Sequence, residues 1–256
     1  MRFACLGSGS EGNGLLVECG GTRVLIDCGF GVRDANERLG RLGVHPENVT
    51  AIVVTHEHAD HIGGVATFAE RYRTPVWLTF GTLECVAERF AELPRVCGFD
   101  SRDRLAIGDL ELLPFPVPHD AREPVQFVCS DGRWRLGLLT DLGASTAHVE
   151  ACLSGCDALL LECNHDIDML ARGDYPYSLK QRIAGRQGHL DNGAAAALLA
   201  RLDTSRLKHL FAAHLSQHNN RPELARAALA GAVNCAPDWI GIADQHEGFG
   251  WRELCD

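Results

Sequence analysis

The segment Thr55-His56-Glu57-His58-Ala59-Asp60-His61-Ile62-Gly63-Gly64 gathers three imidazoles and the Asp60 carboxylate within ten residues. It follows the apolar run Ala51-Ile52-Val53-Val54, so these side chains emerge together from the end of a buried strand. In an extended loop His56 and His58 point the same way and can share one metal ion. Asp60 and His61, after the chain turns, can hold a second, so the spacing suits two adjacent cations. A merely solvated histidine-rich loop would need neither the buried strand before it nor the double-glycine turn after it.

This segment resembles the HxHxDH motif of the metallo-β-lactamase superfamily, and further elements follow in that family's order across nearly the whole chain. The resemblance implies a four-layer αβ/βα sandwich with the metals at its edge. Asp27, in Val24-Leu25-Ile26-Asp27-Cys28-Gly29, corresponds to an aspartate that supports the metal loop by hydrogen bonding without being a ligand. His119, in Val117-Pro118-His119, corresponds to a third ligand of the first metal beside His56 and His58. Asp141, in Leu138-Leu139-Thr140-Asp141, corresponds to the carboxylate that bridges both metals. His214, in Phe211-Ala212-Ala213-His214, corresponds to the final histidine, joining Asp60 and His61 on the second.

Four ligands per cation, with Asp141 shared, leave an exchangeable position, whereas a structural zinc site is usually closed. The implied reaction is hydrolysis, in which a metal-bridging hydroxide attacks an electrophilic phosphorus or carbonyl. Imidazole and carboxylate ligands suit two divalent ions, zinc or manganese, and also accept iron.

Three further stretches resemble the YycJ/WalJ-like branch, which is related to ribonuclease Z-type phosphodiesterases: Ser8-Gly9-Ser10-Glu11-Gly12-Asn13, Glu162-Cys163-Asn164-His165-Asp166 and Gly188-His189-Leu190-Asp191-Asn192. His214-Leu215-Ser216-Gln217-His218-Asn219-Asn220 fits the same branch. The implied activity is 5′-to-3′ exonuclease action on DNA, with RNA the second choice. Catalysis is then expected from Asp60, Asp141 and His165. Ser10, Asn13, His165 and His189 are expected to meet substrate, with Asp27, Asp120 and Glu162 orienting the residues around the metals. Tyr175-Pro176-Tyr177-Ser178-Leu179-Lys180-Gln181-Arg182 mixes aromatic and basic residues and suits either a strand guide or a cap over the core. Two rival readings are a hydrolase of a thioester, lactone or cyclic nucleotide, and a metal-stabilised binding module without turnover.

The elements that must carry these residues are legible from periodicity. Extended segments are expected at Arg2–Leu6, Leu15–Cys19, Arg23–Asp27, Ala51–Thr55, Val76–Thr79, Leu110–Val117, Val125–Ser130, Trp134–Thr140, Ala158–Leu161, His209–Ala212 and Trp239–Ile242. Helices are expected near Val32–Leu42, Gly64–Arg71, Thr82–Phe90, Thr146–Leu153, Asn192–Leu202 and Pro222–Ala230, so the class is α/β. Gly7-Ser8-Gly9-Ser10-Glu11-Gly12 has the spacing of a dinucleotide fingerprint. Gly14 to Cys19 reads as a strand, however, and a helix is needed there to hold a pyrophosphate.

No low-complexity linker or repeat interrupts the 256 residues, so one domain spanning 1–256 is the simplest organisation. The net charge of −10 argues against a broad non-specific nucleic-acid surface, though bound cations can make a local site positive. Cys5, Cys19, Cys28 and Cys129 sit singly in apolar runs and read as small buried hydrophobes. That usage, the lack of a signal-like start and the lack of a membrane-length apolar run point to the cytoplasm. His45, His148, His209 and His246, and the pair Cys152 and Cys156, have no motif around them and are given no role.

Overall fold

The computed structural model describes residues 1–256. Alternating apolar residues build two seven-stranded sheets. The first contains β1 (Arg2–Gly7), β2 (Gly14–Cys19), β3 (Thr22–Ile26), β4 (Ala51–Val53), β5 (Val76–Thr79) and β6 (Val96–Phe99). The second contains β7 (Leu105–Ile107), β8 (Leu110–Pro116), β9 (Val125–Ser130), β10 (Arg135–Leu139), β11 (Ala158–Glu162), β12 (His209–Ala213) and β13 (Gly241–Ile242). The last strand, β14 (Phe249–Glu253), returns to the edge of the first sheet beside β1.

Each sheet begins as antiparallel hairpins and continues as parallel strands: β1–β3 lead into β4–β6, and β7–β10 lead into β11–β13. The parallel crossovers are made by α1 (Val32–Arg41), α2 (Ala59–Ile62) with α3 (Val65–Tyr72), and α4 (Phe80–Phe90) in the first half. In the second half they are α5 (Ala147–Leu153), α6 (Ile167–Arg172), α7 (Tyr177–Ile183), α8 (Asn192–Leu199) and α9 (Pro222–Val233).

The period of two in the strands sorts their side chains into three apolar layers. Phe3, Val17, Val24, Val53, Phe127, Leu138, Leu160 and Phe211 meet between the sheets. Leu16, Leu25 and Ile52 face the opposite way, onto Ala35 and Leu39 of α1 and Phe68 of α3. Leu139, Leu159, Leu161 and Leu210 face Val149, Leu198 and Leu229 of α5, α8 and α9. The result is a four-layer αβ/βα sandwich in which each fully buried Leu or Phe contributes roughly 2 kcal/mol of transfer free energy.

Most element boundaries lie within a few residues of the pattern-based expectation. Gly7 to Asn13 joins β1 directly to β2, so no helix follows the dinucleotide-like spacing. Trp239 belongs to a 3₁₀ turn, Pro237–Trp239, which shortens the expected strand there to Gly241–Ile242. Cys5, Cys28, Cys129, Cys156 and Cys163 are buried free thiols, and burial pushes Cys5 and Cys28 up to about 12. No helix is long and apolar enough to cross a membrane.

Candidate metal centre

The parallel strands of both sheets end at one edge of the sandwich, and their carboxyl ends deliver the polar residues there. β4 runs out into Thr55, whose backbone N–H donates to Asp27 Oδ1 at 2.8 Å and whose hydroxyl donates to Asp27 Oδ2 at 2.8 Å. Asp27 itself closes β3 in a left-handed conformation, φ 62°, which turns its carboxylate under the loop. His61 Nδ1 lies 2.7 Å from Asp27 Oδ2. A carboxylate can only accept, so His61 Nδ1 carries a proton and Nε2 is the ring nitrogen left to face a cation.

The same reasoning orients the other imidazoles. Thr55 Oγ1 has spent its hydrogen on Asp27 and accepts from His56 Nδ1 at 2.9 Å, leaving His56 Nε2 with a lone pair. His119 Nδ1 donates to the Gly188 carbonyl at 3.1 Å, and His58 Nε2 donates to the Asp120 carbonyl at 3.2 Å. Their remaining nitrogens, His119 Nε2 and His58 Nδ1, lie 3.2 Å apart. Glu57, between the two histidines, points outward and accepts from the Arg122 N–H at 2.6 Å. This is the alternation expected of an extended loop.

His214 closes β12, also in a left-handed conformation, φ 54°. Its Nε2 lies 3.4 Å from Asp60 Oδ2 and its Nδ1 3.4 Å from Glu162 Oε1. Fully buried Glu162 is a hub: Oε2 accepts from the N–H groups of Leu142 at 2.9 Å and Leu190 at 3.1 Å, while Oε1 accepts from His189 Nδ1 at 2.7 Å. Asp141 lies centrally, with Oδ2 3.1 Å from His61 Nε2 and Oδ1 within 3.7 Å of His119 Nε2 and His214 Nδ1.

The electrostatics follow from burial and from these carboxylates. Burial depresses His61, but Asp141 and Asp27 outweigh it and hold its pKa well above the usual range. His214 is likewise raised to about 10 against its burial, chiefly by Asp141, Asp60 and Glu162. His56, buried beside the other imidazoles, is held well below its ordinary value. His189 is raised, because Glu162 overcomes the cost of burial.

The donor set fits divalent ions. His56, His58 and His119 form one group whose ligand atoms lie within 4.8 Å of one another, and Asp60, His61 and His214 form a second. His56 Nε2 and Asp141 Oδ2 are buried atoms without a hydrogen-bond partner, an arrangement that costs free energy unless a cation completes it. Chelating bound metal is therefore expected to lower the Tm. The stabilisation lost is about 4 kcal/mol for an ion held at a thousandfold its Kd. An identical melting curve with and without chelator, on protein shown to hold metal beforehand, would contradict that fit.

This chain matches the family model for the beta-lactamase superfamily domain over residues 22–210. It is 34% identical over 232 residues to exodeoxyribonuclease YycJ of Bacillus anthracis, covering 90% of this chain and 88% of that one. The chain belongs to the metallo-β-lactamase superfamily, in its YycJ/WalJ-like branch. Exodeoxyribonuclease WalJ of Streptococcus pneumoniae is 31% identical over 247 residues, covering 94% of this chain and 91% of the relative. The solved metallo-β-lactamase fold protein YhfI of Bacillus subtilis shares the fold, with a TM-score of 0.76 at 17% identity over 98% of this chain and 99% of that one.

Within this superfamily member, the metal groups open into a cleft of about 370 Å³. Ser10, His58, Asp60, Asp120, Asp141, Tyr175, Arg182, His189 and His214 all line it. Two residues expected at the substrate sit elsewhere. Asn13 is buried, and its side-chain amide lies 3.4 Å from Asp60 Oδ2 and 3.1 Å from His61 Nε2, so it braces the metal loop. His165 is 1% exposed, with Nδ1 3.3 Å from Asn164 Oδ1 and its backbone bridged to Asp191, and it does not line the cleft. Asp120 does more than hold His58: its carboxylate accepts from Arg182 Nε at 2.6 Å. Thr55, which sets the tautomer of His56, had only its place before the histidine pair to signal it.

Proposed function

We propose that this chain is a metal-dependent phosphodiesterase that cleaves nucleic acid, with DNA preferred and 5′-to-3′ exonuclease action the expected mode. The observation that carries the reading is Asp141. Its two oxygens lie between the His56, His58, His119 group and the Asp60, His61, His214 group, an arrangement suited to two ions sharing one carboxylate. YycJ and WalJ, matched over most of their lengths, carry the name exodeoxyribonuclease and support the substrate class.

Zinc or manganese suits the imidazole and carboxylate donors. Divalent ions held there would supply a water of lowered pKa as nucleophile and positive charge against that developing on the phosphate. The chain's own residues do the rest. Asp27, Thr55, Gly188 and Asp120 fix the histidine tautomers, and Asn13 holds Asp60 in place.

Leaving-group protonation belongs to His189 in this reading. Glu162 occupies its Nδ1, which leaves Nε2 as the ring nitrogen free for a departing oxygen, and the ring lines the cleft. His189→Ala is expected to lower kcat by roughly a hundredfold or more with metal content unchanged by elemental analysis. Undiminished kcat in the folded, metal-loaded variant would remove His189 from the chemistry. Ser10, at the rim, is assigned to substrate contact.

The deciding assay is product formation from 5′-labelled linear DNA and RNA with manganese present. It is run beside a thioester, a lactone and a cyclic nucleotide at matched metal content. Stepwise release of 5′ nucleotides supports the exonuclease. Turnover confined to one of the small molecules would replace it.

A further inference from the structure

A second groove of about 580 Å³ adjoins the metal cleft and shares Asp120 and Arg182 with it. Its walls are Pro118, Gln181, Gly185, Arg186 and Gln187, with no apolar side chain other than the proline ring. Arg182 is tied to Asp120 only through Nε, so its two Nη groups have no partner in the protein. Arg186 is exposed and makes neither an ion pair nor a side-chain hydrogen bond. In a chain of net charge −10, two guanidinium groups with free donors thus face a polar groove that leads out of the metal cleft.

The groove is also fixed relative to the metals. The stretch that follows α7 is pinned by His189 N–H to the Ile183 carbonyl at 2.8 Å and by Gly188 N–H to the Gly185 carbonyl at 2.9 Å. From it, the Gly188 carbonyl holds His119 and His189 holds Glu162, while Arg182, in the last turn of α7, holds the residue whose carbonyl orients His58. The backbone that carries Arg182 and Arg186 is therefore fixed relative to the metal centre, so their side chains reach from a set anchor point, as a subsite requires.

We propose that the Arg182–Arg186 groove is a phosphate subsite that takes a backbone phosphate of the nucleic-acid strand next to the one being cleaved. It rests on the nuclease reading for its occupant and adds the residues that bind the strand outside the metals. The planar fork of arginine matches two phosphate oxygens, and no base contact is needed, so DNA and RNA strands are both accommodated.

Arg186→Ala tests the groove, because the side chain it removes is exposed and makes no hydrogen bond or ion pair within the protein. Binding is read by fluorescence anisotropy of a labelled single strand against salt, with the full-length metal-loaded protein and a cleavage-resistant backbone. The Kd is expected to rise about tenfold, and the slope of log affinity against log salt to flatten by about 0.7, the value for one phosphate on a single strand. Arg33→Ala on the remote α1 is the charge control and leaves both unchanged.

Cleavage is read separately. In Arg186→Ala the KM for an oligonucleotide rises, while turnover of bis(4-nitrophenyl) phosphate, which has a single phosphodiester, stays the same. Unchanged Kd and salt slope overturn the subsite, whatever the turnover. Equal losses on both substrates overturn it too, because they would mean damage to the metal centre. If the unaltered protein cleaves no nucleic acid, the nuclease reading falls, while the Arg186-dependent salt slope still judges the groove.

Discussion

Asp141→Ala is expected to reduce metal-dependent turnover by at least about a thousandfold, equivalent to roughly 4 kcal/mol of transition-state stabilisation. The carboxylate lies between the two histidine groups, within 3.7 Å of nitrogens on His61, His119, His189 and His214. Removing it takes away the buried carboxylate that reaches both groups: both oxygens of nearby Glu162 are engaged by Leu142, Leu190 and His189, and Asp120 Oδ1 approaches only the first group, 3.5 Å from His119 Nε2. The backbone around it does not depend on that side chain. Leu142 N–H is held by Glu162, and Gly143 N–H by the Pro118 carbonyl at 2.8 Å. Circular dichroism should therefore report a folded protein, and elemental analysis a loss of bound metal. Full turnover by a folded, metal-replete Asp141→Ala protein would refute the shared-carboxylate arrangement.

Gly29→Ala is expected to destabilise the protein by roughly 3 kcal/mol or more and to disturb metal binding with it. A Cβ at this position would overlap the Asp60 carbonyl and approach Gly12 Cα to 2.9 Å. Neither neighbour is a flexible side chain. The Asp60 carbonyl is fixed by the Asn13 N–H at 2.7 Å, and Gly29 N–H is itself bonded to the Asn13 carbonyl at 3.1 Å. The loop carrying Asp60 and His61 must shift as a whole, so stability and metal affinity should fall together. Chemical denaturation and metal titration of the variant measure both, and an unchanged midpoint with unchanged affinity would show that the loops yield more easily than their bonding indicates.

The metal loop was legible because its chemistry is concentrated: three histidines and an aspartate follow directly on a buried strand. The distal residues, His119, Asp141 and His214, are single letters at strand ends, and only their order along the chain connected them to it. His165 and His189 could not be separated in that way. Each follows a polar residue or glycine near a strand or helix end, and only the tertiary bridge from His165 to Asp191 buries one while the other reaches the cleft.

The short elements escaped for a different reason. α7 buries no residue, so it has no apolar stripe to read, and seven residues are too few to hold a helix without tertiary contacts. Arg186, beyond its end, is one arginine among many until the fold sets it on the groove. β6 and β7 are short strands at sheet edges, and β14 is recognisable only as the partner of β1, at the opposite end of the chain.

Asp60 and His214, whose side chains meet at 3.4 Å, are 154 residues apart in sequence. During synthesis β1–β6 can pair and pack one face on α1 and α3, while the face turned to the second sheet, the edge beside β1 and half of the ions' environment await the rest of the chain. Such a nascent domain presents His56, His58 and His61 without His119, Asp141 or His214, and so has at most a partial grip on metal. The full set of candidate ligands exists only once β12 is in place, so a chain ended before His214 is expected to lack metal-dependent hydrolysis.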